Sequence, residues 1–153
     1  MKKLIIDREW LEVHGACRDG MEFFLTERIL SPRAGIRNLL NKNHFNWANW
    51  LLVRLLTHKQ KVRYAVFAAE QVIKIYTEQY PNDDRPRKAI KAAKLFVRTG
   101  NSFAAYAAAY AANDAASAAS AANAANAANV ACIYLRRKII NYGLKLLAKD
   151  KVC

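Results

Sequence analysis

Glycine and proline are scarce in this chain, with five and three among 153 residues. So few breakers, together with few segments rich in β-branched residues, favour helices over sheets. Cysteine is scarce too. Cys17, Cys132 and Cys153 are odd in number and far apart, and none forms a Cys-x-x-Cys pair. They offer no disulfide framework and fit a reducing compartment, so a soluble, cytoplasmic protein is expected. No run of eighteen strongly apolar residues is present, which argues against a membrane span. The N-terminus MKKLIIDREW reaches Asp7 after only three apolar residues that follow the lysines, too few for a secretion leader.

Recognisable chemistry is also missing. His14, His44 and His58 have no His-x-x-x-His or Cys-x-x-Cys neighbourhood. There is no glycine-rich phosphate loop and no Gly-x-Ser-x-Gly. His14 and Cys17 lie three apart, the reach of a thiolate pair. Gly15 between them should break the helix, so the pair reads as a packed cysteine beside a surface histidine. No catalytic residue, metal or cofactor is expected.

Acidic residues are few: 12 Asp and Glu against 25 Lys and Arg, a net charge of +13. The imbalance is local. Residues 1–30 hold five cations against six carboxylates, residues 31–100 fourteen against four, and residues 101–153 six against two. Such a field attracts an acidic protein or nucleic acid and carries no information about fold.

What the chain does have is helical pattern. Short helices are predicted over 9–14 and 17–29, the second with Met21, Phe24, Leu25 and Ile29 along one stripe. Ser31-Pro32 ends it, Gly35 breaks the chain again, and residues 36–41 form one more short helix. Asn46 is a candidate N-cap for 47–56, where Trp47, Trp50, Leu51, Val53, Leu55 and Leu56 make a helix apolar nearly all round, its tryptophans in the core. Thr57 can cap a helix over about 58–80, with Val62, Val66, Ala69, Ile73, Tyr76 and Tyr80 on one face. Pro81-Asn82-Asp83-Asp84 is a turn. Asp83 or Asp84 can cap the next helix, which tolerates Pro86 in its first turn and ends before Gly100.

Residues 104–129 are nearly all alanine, with Asn or Ser at 117, 120, 123, 126 and 129. Alanine is the best helix former. A step of three on an α-helix turns about 300°, so the polar stripe slips back about 60° each time and winds around the helix. A helix without a fixed solvent face suits the centre of a bundle. The pattern continues to about 148 with Val130, Ile133, Ile140, Leu144 and Leu147. The expected architecture is all-α: a single domain over 1–153, about six helices, with the alanine-rich helix at its centre.

Three basic clusters are the candidate binding residues. Arg87, Lys91, Lys94 and Arg98 fall at spacings of four, three and four, one stripe opposite Ile90, Ala93 and Val97. Arg54, His58, Lys59, Lys61 and Arg63 form a second cluster, part of it in the first turns of a helix where cations oppose the dipole. Arg136-Arg137-Lys138 forms a third. The motif Asp83, Asp84, Arg85, Pro86 reads as structural, because Arg85 and Arg87 at a helix start need carboxylates to offset the dipole.

Some of these residues also carry a resemblance. His14–Cys17 (His-Gly-Ala-Cys), the pair Phe23-Phe24, Trp47–Trp50 (Trp-Ala-x-Trp), the helix Tyr64-Ala-Val-Phe-Ala-Ala-Glu-Gln-Val, the motif Asp83-Asp84-Arg85-Pro86-Arg87-Lys88-Ala89 and the alanine-rich helix occur in that order. The chain thereby resembles the immunity proteins of bacterial polymorphic-toxin loci and tailed-phage genomes. The resemblance implies an all-α protein that neutralises a toxin or host defence effector by binding it, and the basic charge of the chain calls for a protein partner that is acidic at the contact surface. In a phage the role would be counter-defence. The alternative is a nucleic-acid-binding protein acting through its basic helix faces. A nucleic-acid binder should merge the basic clusters into one groove or stripe, whereas a protein inhibitor should show a compact patch that mixes charge with exposed aromatics.

Overall fold

The computed structural model describes residues 4–27, 31–100 and 130–149. These hold seven helices and no strand: α1 (Arg8–Val13), α2 (Arg18–Thr26), α3 (Pro32–Asn41), α4 (Phe45–Leu55), α5 (His58–Gln79), α6 (Arg85–Thr99) and α7 (Val130–Lys149). The all-α class read from composition is therefore correct. The alanine tract 104–129, with its expected central placement, lies outside the described residues. Among the described residues no helix is long and apolar enough to cross a membrane. The chain divides into two compact units between Leu56 and Thr57.

In the first unit, Asp7 caps α1 by accepting the Trp10 N–H at 2.8 Å. Gly15 ends it at φ +68°, a left-handed conformation that side-chain-bearing residues seldom adopt. Pro32 does not stop a helix, contrary to the expectation from sequence; it opens α3 from the first turn, where proline's fixed φ suits a helix and its missing N–H costs nothing. Gly35 lies inside that helix and is buried, not at a break. α3 ends in a Schellman turn built on Asn43, which takes φ +61°. Asn43 N–H reaches Leu40 O at 3.1 Å and His44 N–H reaches Leu39 O at 2.8 Å, satisfying carbonyls that have no partner in their own helix.

The turn feeds straight into α4. That helix starts at buried Phe45, with His44 and not Asn46 at its cap position. α3 and α4 pack as a hairpin over Ile36, Leu39, Leu40, Phe45, Ala48, Leu51 and Leu52, all buried. Trp47 and Trp50 are only half-buried, a correction to their expected core role. They serve as a platform for the first two helices: Phe23 lies 5.7 Å from Trp47 and Trp10 meets Trp50 edge-on at 6.3 Å. Lys42 ties α2 down through Glu27 at 2.7 Å. Leu25, placed on the apolar stripe of α2 by spacing, is instead exposed, while Phe24 is buried.

In the second unit, both α6 and α7 pack on α5. Thr57 opens α5 with a full capping box: Thr57 Oγ1 accepts the Gln60 N–H at 3.3 Å and Gln60 Oε1 accepts the Thr57 N–H at 2.8 Å. Gln60 is buried, and its Nε2 donates to Leu146 O of α7 at 2.9 Å. Above it Tyr64 is buried, which pushes its phenol pKa up, and Phe67 stacks on Tyr142 of α7 at 4.0 Å. Ile140 and Leu146 complete that contact, and Ala93 and Phe96 are the buried residues of α6. Because α5 has neighbours on two sides, the face read from periodicity (Val62, Val66, Ala69, Ile73, Tyr76) is half-buried and Tyr80 is exposed.

Candidate partner-binding face

The turn between α5 and α6 sets the geometry of the basic face. Asp83 is its hub. Asp83 Oδ1 accepts the Arg85 backbone N–H at 3.1 Å and Arg85 Nε–H at 2.9 Å; Oδ2 accepts Arg85 Nη2–H at 2.7 Å and the Tyr76 hydroxyl at 2.8 Å. The carboxylate satisfies a first-turn N–H of α6 and neutralises the guanidinium that would oppose its dipole. The Arg85 hydrogen bonds, then that of Tyr76, hold the Asp83 carboxyl well below the usual carboxylate range. The same bonds raise Arg85 and Tyr76. Asp84 occupies the N-cap position without a side-chain bond to the backbone. It pairs instead with Lys88 at 2.8 Å, one turn on. Pro86 sits in the first turn.

From this anchored start, α6 turns its buried side, Ala93 and Phe96, toward the unit's interior. Arg87, Lys91, Lys94 and Arg98 all lie on the exposed side. Their circumstances differ. Lys94 pairs with Glu70 of α5. Arg87, Lys91 and Arg98 have no carboxylate partner among the described residues. Of the four carboxylates in residues 31–100, Glu70, Asp83 and Asp84 are already engaged. One apolar residue, Leu95, is 44% exposed on the same side. It lies one turn from both Lys91 and Arg98.

The second cluster is split by the structure. Arg54 belongs to the first unit, at the last turn of α4. Its Nε donates to His14 O at 3.0 Å, its Nη1 to Trp50 O at 3.2 Å, and its guanidinium lies 3.8 Å from the Trp50 ring centroid. Those contacts make it an internal tie between α4 and the end of α1. His58, Lys59 and Lys61 are exposed at the start of α5, and Arg63 is half-buried. The His58 ring meets Phe96 of α6 edge-on at 5.7 Å. Of the third cluster, Lys138 is exposed while Arg136 and Arg137 are half-buried on α7.

His14 and Cys17 reverse the expectation from spacing. Cys17 is exposed. His14 is the packed member: its ring stacks on Trp10 at 3.9 Å, with Nδ1 2.7 Å from Trp10 O. The roles of Tyr76, Gln60 and Leu95 were missed in the reading of the sequence. Gln60 had a signal, since it stands three residues after Thr57 as a capping box requires. Tyr76 had none short of the turn geometry. Among the described residues no group of His, Cys, Asp or Glu is arranged to hold a metal.

The family model that matches the chain, described as "Imm-5 like putative immunity protein", covers residues 51–149. That is more than half of the chain, and the chain belongs to this family of immunity proteins. The match contains the Tyr64–Val72 helix and the Asp83–Ala89 motif; His14–Cys17, Phe23-Phe24 and Trp47–Trp50 precede it. No curated protein and no solved structure matches.

Proposed function

We propose that this protein neutralises a toxin or a host defence effector by stoichiometric, non-catalytic binding in the cytoplasm, as an immunity protein or, in a phage, as a counter-defence protein. The partner is a protein, acidic at the contact surface. Family membership supports the immunity role in general. The observation that carries the choice of surface is on α6: Arg87, Lys91 and Arg98 are exposed and without carboxylate partners among the described residues, although most carboxylates nearby are engaged. Like charges one turn apart weaken a helix slightly. An anionic partner relieves that repulsion and is steered by it. His58, Lys59, Lys61 and Arg63 extend the positive field from the start of α5, while Arg54 acts in folding.

Affinity capture from the source cell tests this reading. The structure also dictates the variant. Reversing Lys94 would set two carboxylates against each other at Glu70, so Lys91→Glu with Arg98→Glu is the cleaner change. Wild type should retain one protein in stoichiometric amount and the double variant should lose it. Retention by the double variant overturns the assignment of the face. Binding of random duplex DNA that is as tight at physiological salt, and falls steeply as salt rises, would favour the nucleic-acid reading.

A further inference from the structure

We propose that the exposed side of α6 docks an acidic amphipathic helix of the partner, with carboxylates opposite Arg87, Lys91 and Arg98 and an apolar side chain seated on Leu95. This rests on the reading of the protein as a protein-binding inhibitor and specifies the chemistry its partner must present.

Spacing is the first element. Arg87, Lys91, Leu95 and Arg98 succeed one another at four, four and three residues, so each stands one helical turn from the next. The row spans about 16 Å, three turns of helix. A second helix lying along it presents its own side chains at the same rise, so carboxylates spaced three and four residues apart meet successive cations. A loop or a flat acidic surface has no such built-in match.

The second element is the leucine. Lys88, Lys91, Lys94, Arg98 and Arg87 make the exposed side of α6 basic, and Leu95 is the residue among them that is both apolar and exposed. It is neither drawn into the core, as Phe96 is, nor replaced by a further cation. A phosphate backbone gains nothing by covering a leucine. A protein helix does, because the covered apolar area leaves water at the centre of a charged rim, the usual anatomy of a protein interface. Charge complementarity selects an acidic partner, and Leu95 selects a protein over nucleic acid.

The third element is that, among the described residues, no carboxylate answers Arg87, Lys91 or Arg98. Lys88 and Lys94 are answered by Asp84 and Glu70. Arg8 and Arg18 are likewise answered one turn on by Glu12 and Glu22. The three cations of α6 left unanswered among the described residues share one face with Leu95.

The test uses the full chain, isotope-labelled, and three probes: a helical peptide carrying glutamates at positions 1, 5 and 12 with leucine at 9, the same peptide with serine at 9, and a short DNA duplex. The leucine peptide should shift the amides of 87–99 and bind about tenfold tighter than the serine peptide, the effect of burying one leucine. Leu95→Ala should bring the two peptides together while leaving the salt dependence intact. Lys91→Glu with Arg98→Glu should remove binding of both, in a protein whose far-ultraviolet spectrum and melting temperature are no lower than wild type. Equal binding of the two peptides to wild type, shifts confined to other helices, or tighter binding of the duplex than of the leucine peptide would overturn the proposal. If the peptides fail while the charge reversal still abolishes capture of the cellular partner, the amphipathic helix is wrong and the inhibitor reading stands. If the reversal leaves capture intact, both fall for this face.

Discussion

Gln60 offers the sharpest check on how the second unit is held together. One buried side chain does two jobs there: Oε1 accepts the Thr57 N–H at the start of α5, and Nε2 donates to Leu146 O in the last turn of α7. Gln60 thereby joins α7 to the start of α5 while closing the capping box of α5. Gln60→Ala removes both bonds, each worth about 1 kcal/mol net. The expected loss is about 2 kcal/mol, a large share of an ordinary domain's stability. Thr57→Ala, which removes the cap alone, should cost about 1 kcal/mol. Gln60→Glu adds a signature of chemistry. Its carboxylate can still accept from Thr57 but faces the Leu146 carbonyl with no proton to give. Burial raises the pKa of that carboxyl, so the variant should gain stability as the pH falls and the acid becomes a donor. Urea unfolding monitored by circular dichroism, at neutral and at mildly acid pH, measures all three. A Gln60→Ala protein within about 0.5 kcal/mol of wild type, the range of an indifferent surface change, would refute the reasoning.

Local geometry yields two further predictions. Asn43 holds φ +61° in the α3–α4 turn, so Asn43→Val should cost about 1–2 kcal/mol, the penalty of a left-handed β-branched residue, while Asn43→Gly falls well short of that; urea midpoints decide it. Asp83 has its pKa lowered in the folded chain by Arg85 and Tyr76, so its contribution is complete above the unfolded carboxyl value of about 4 and is lost as the pH falls toward the lower folded value. Asp83→Asn should therefore flatten the decline of melting temperature below about pH 4; an unchanged acid limb would sink the assignment.

The sequence disclosed most of the helices because their signals are local. Thr57, the sparse glycines, Pro86 and the three-and-four spacings each act within a turn or two. It misplaced what depends on neighbours. Pro32 starts a helix in place of ending one, a choice decided by the residues C-terminal to it. Trp47 and Trp50 looked like core by hydrophobicity, yet their size lets them roof α4 and receive Phe23 and Trp10 while staying half-exposed. His14 and Cys17 exchanged roles because Trp10, one turn before His14, offers its ring face. At the candidate site the spacing of the four cations was legible, and so was the need for carboxylates near Arg85. Spacing cannot tell a paired cation from an unpaired one. Lys94 is answered by Glu70, twenty-four residues earlier in the chain, and Lys91 is not; only the packing of α5 against α6 distinguishes them. Arg54 joined the basic cluster by proximity in sequence and was separated from it by its contacts with Trp50 and His14.

The most direct test of the central claim is a titration of the captured partner with the purified protein, reading the partner's own toxic or defensive activity and the heat of binding together. The account predicts complete loss of that activity at one equivalent, a matching stoichiometry in the heat, and no inhibition by the Lys91→Glu, Arg98→Glu protein at the same concentration. Inhibition far below one equivalent would mean catalysis, and full inhibition by the reversed protein would mean that α6 is not the binding face.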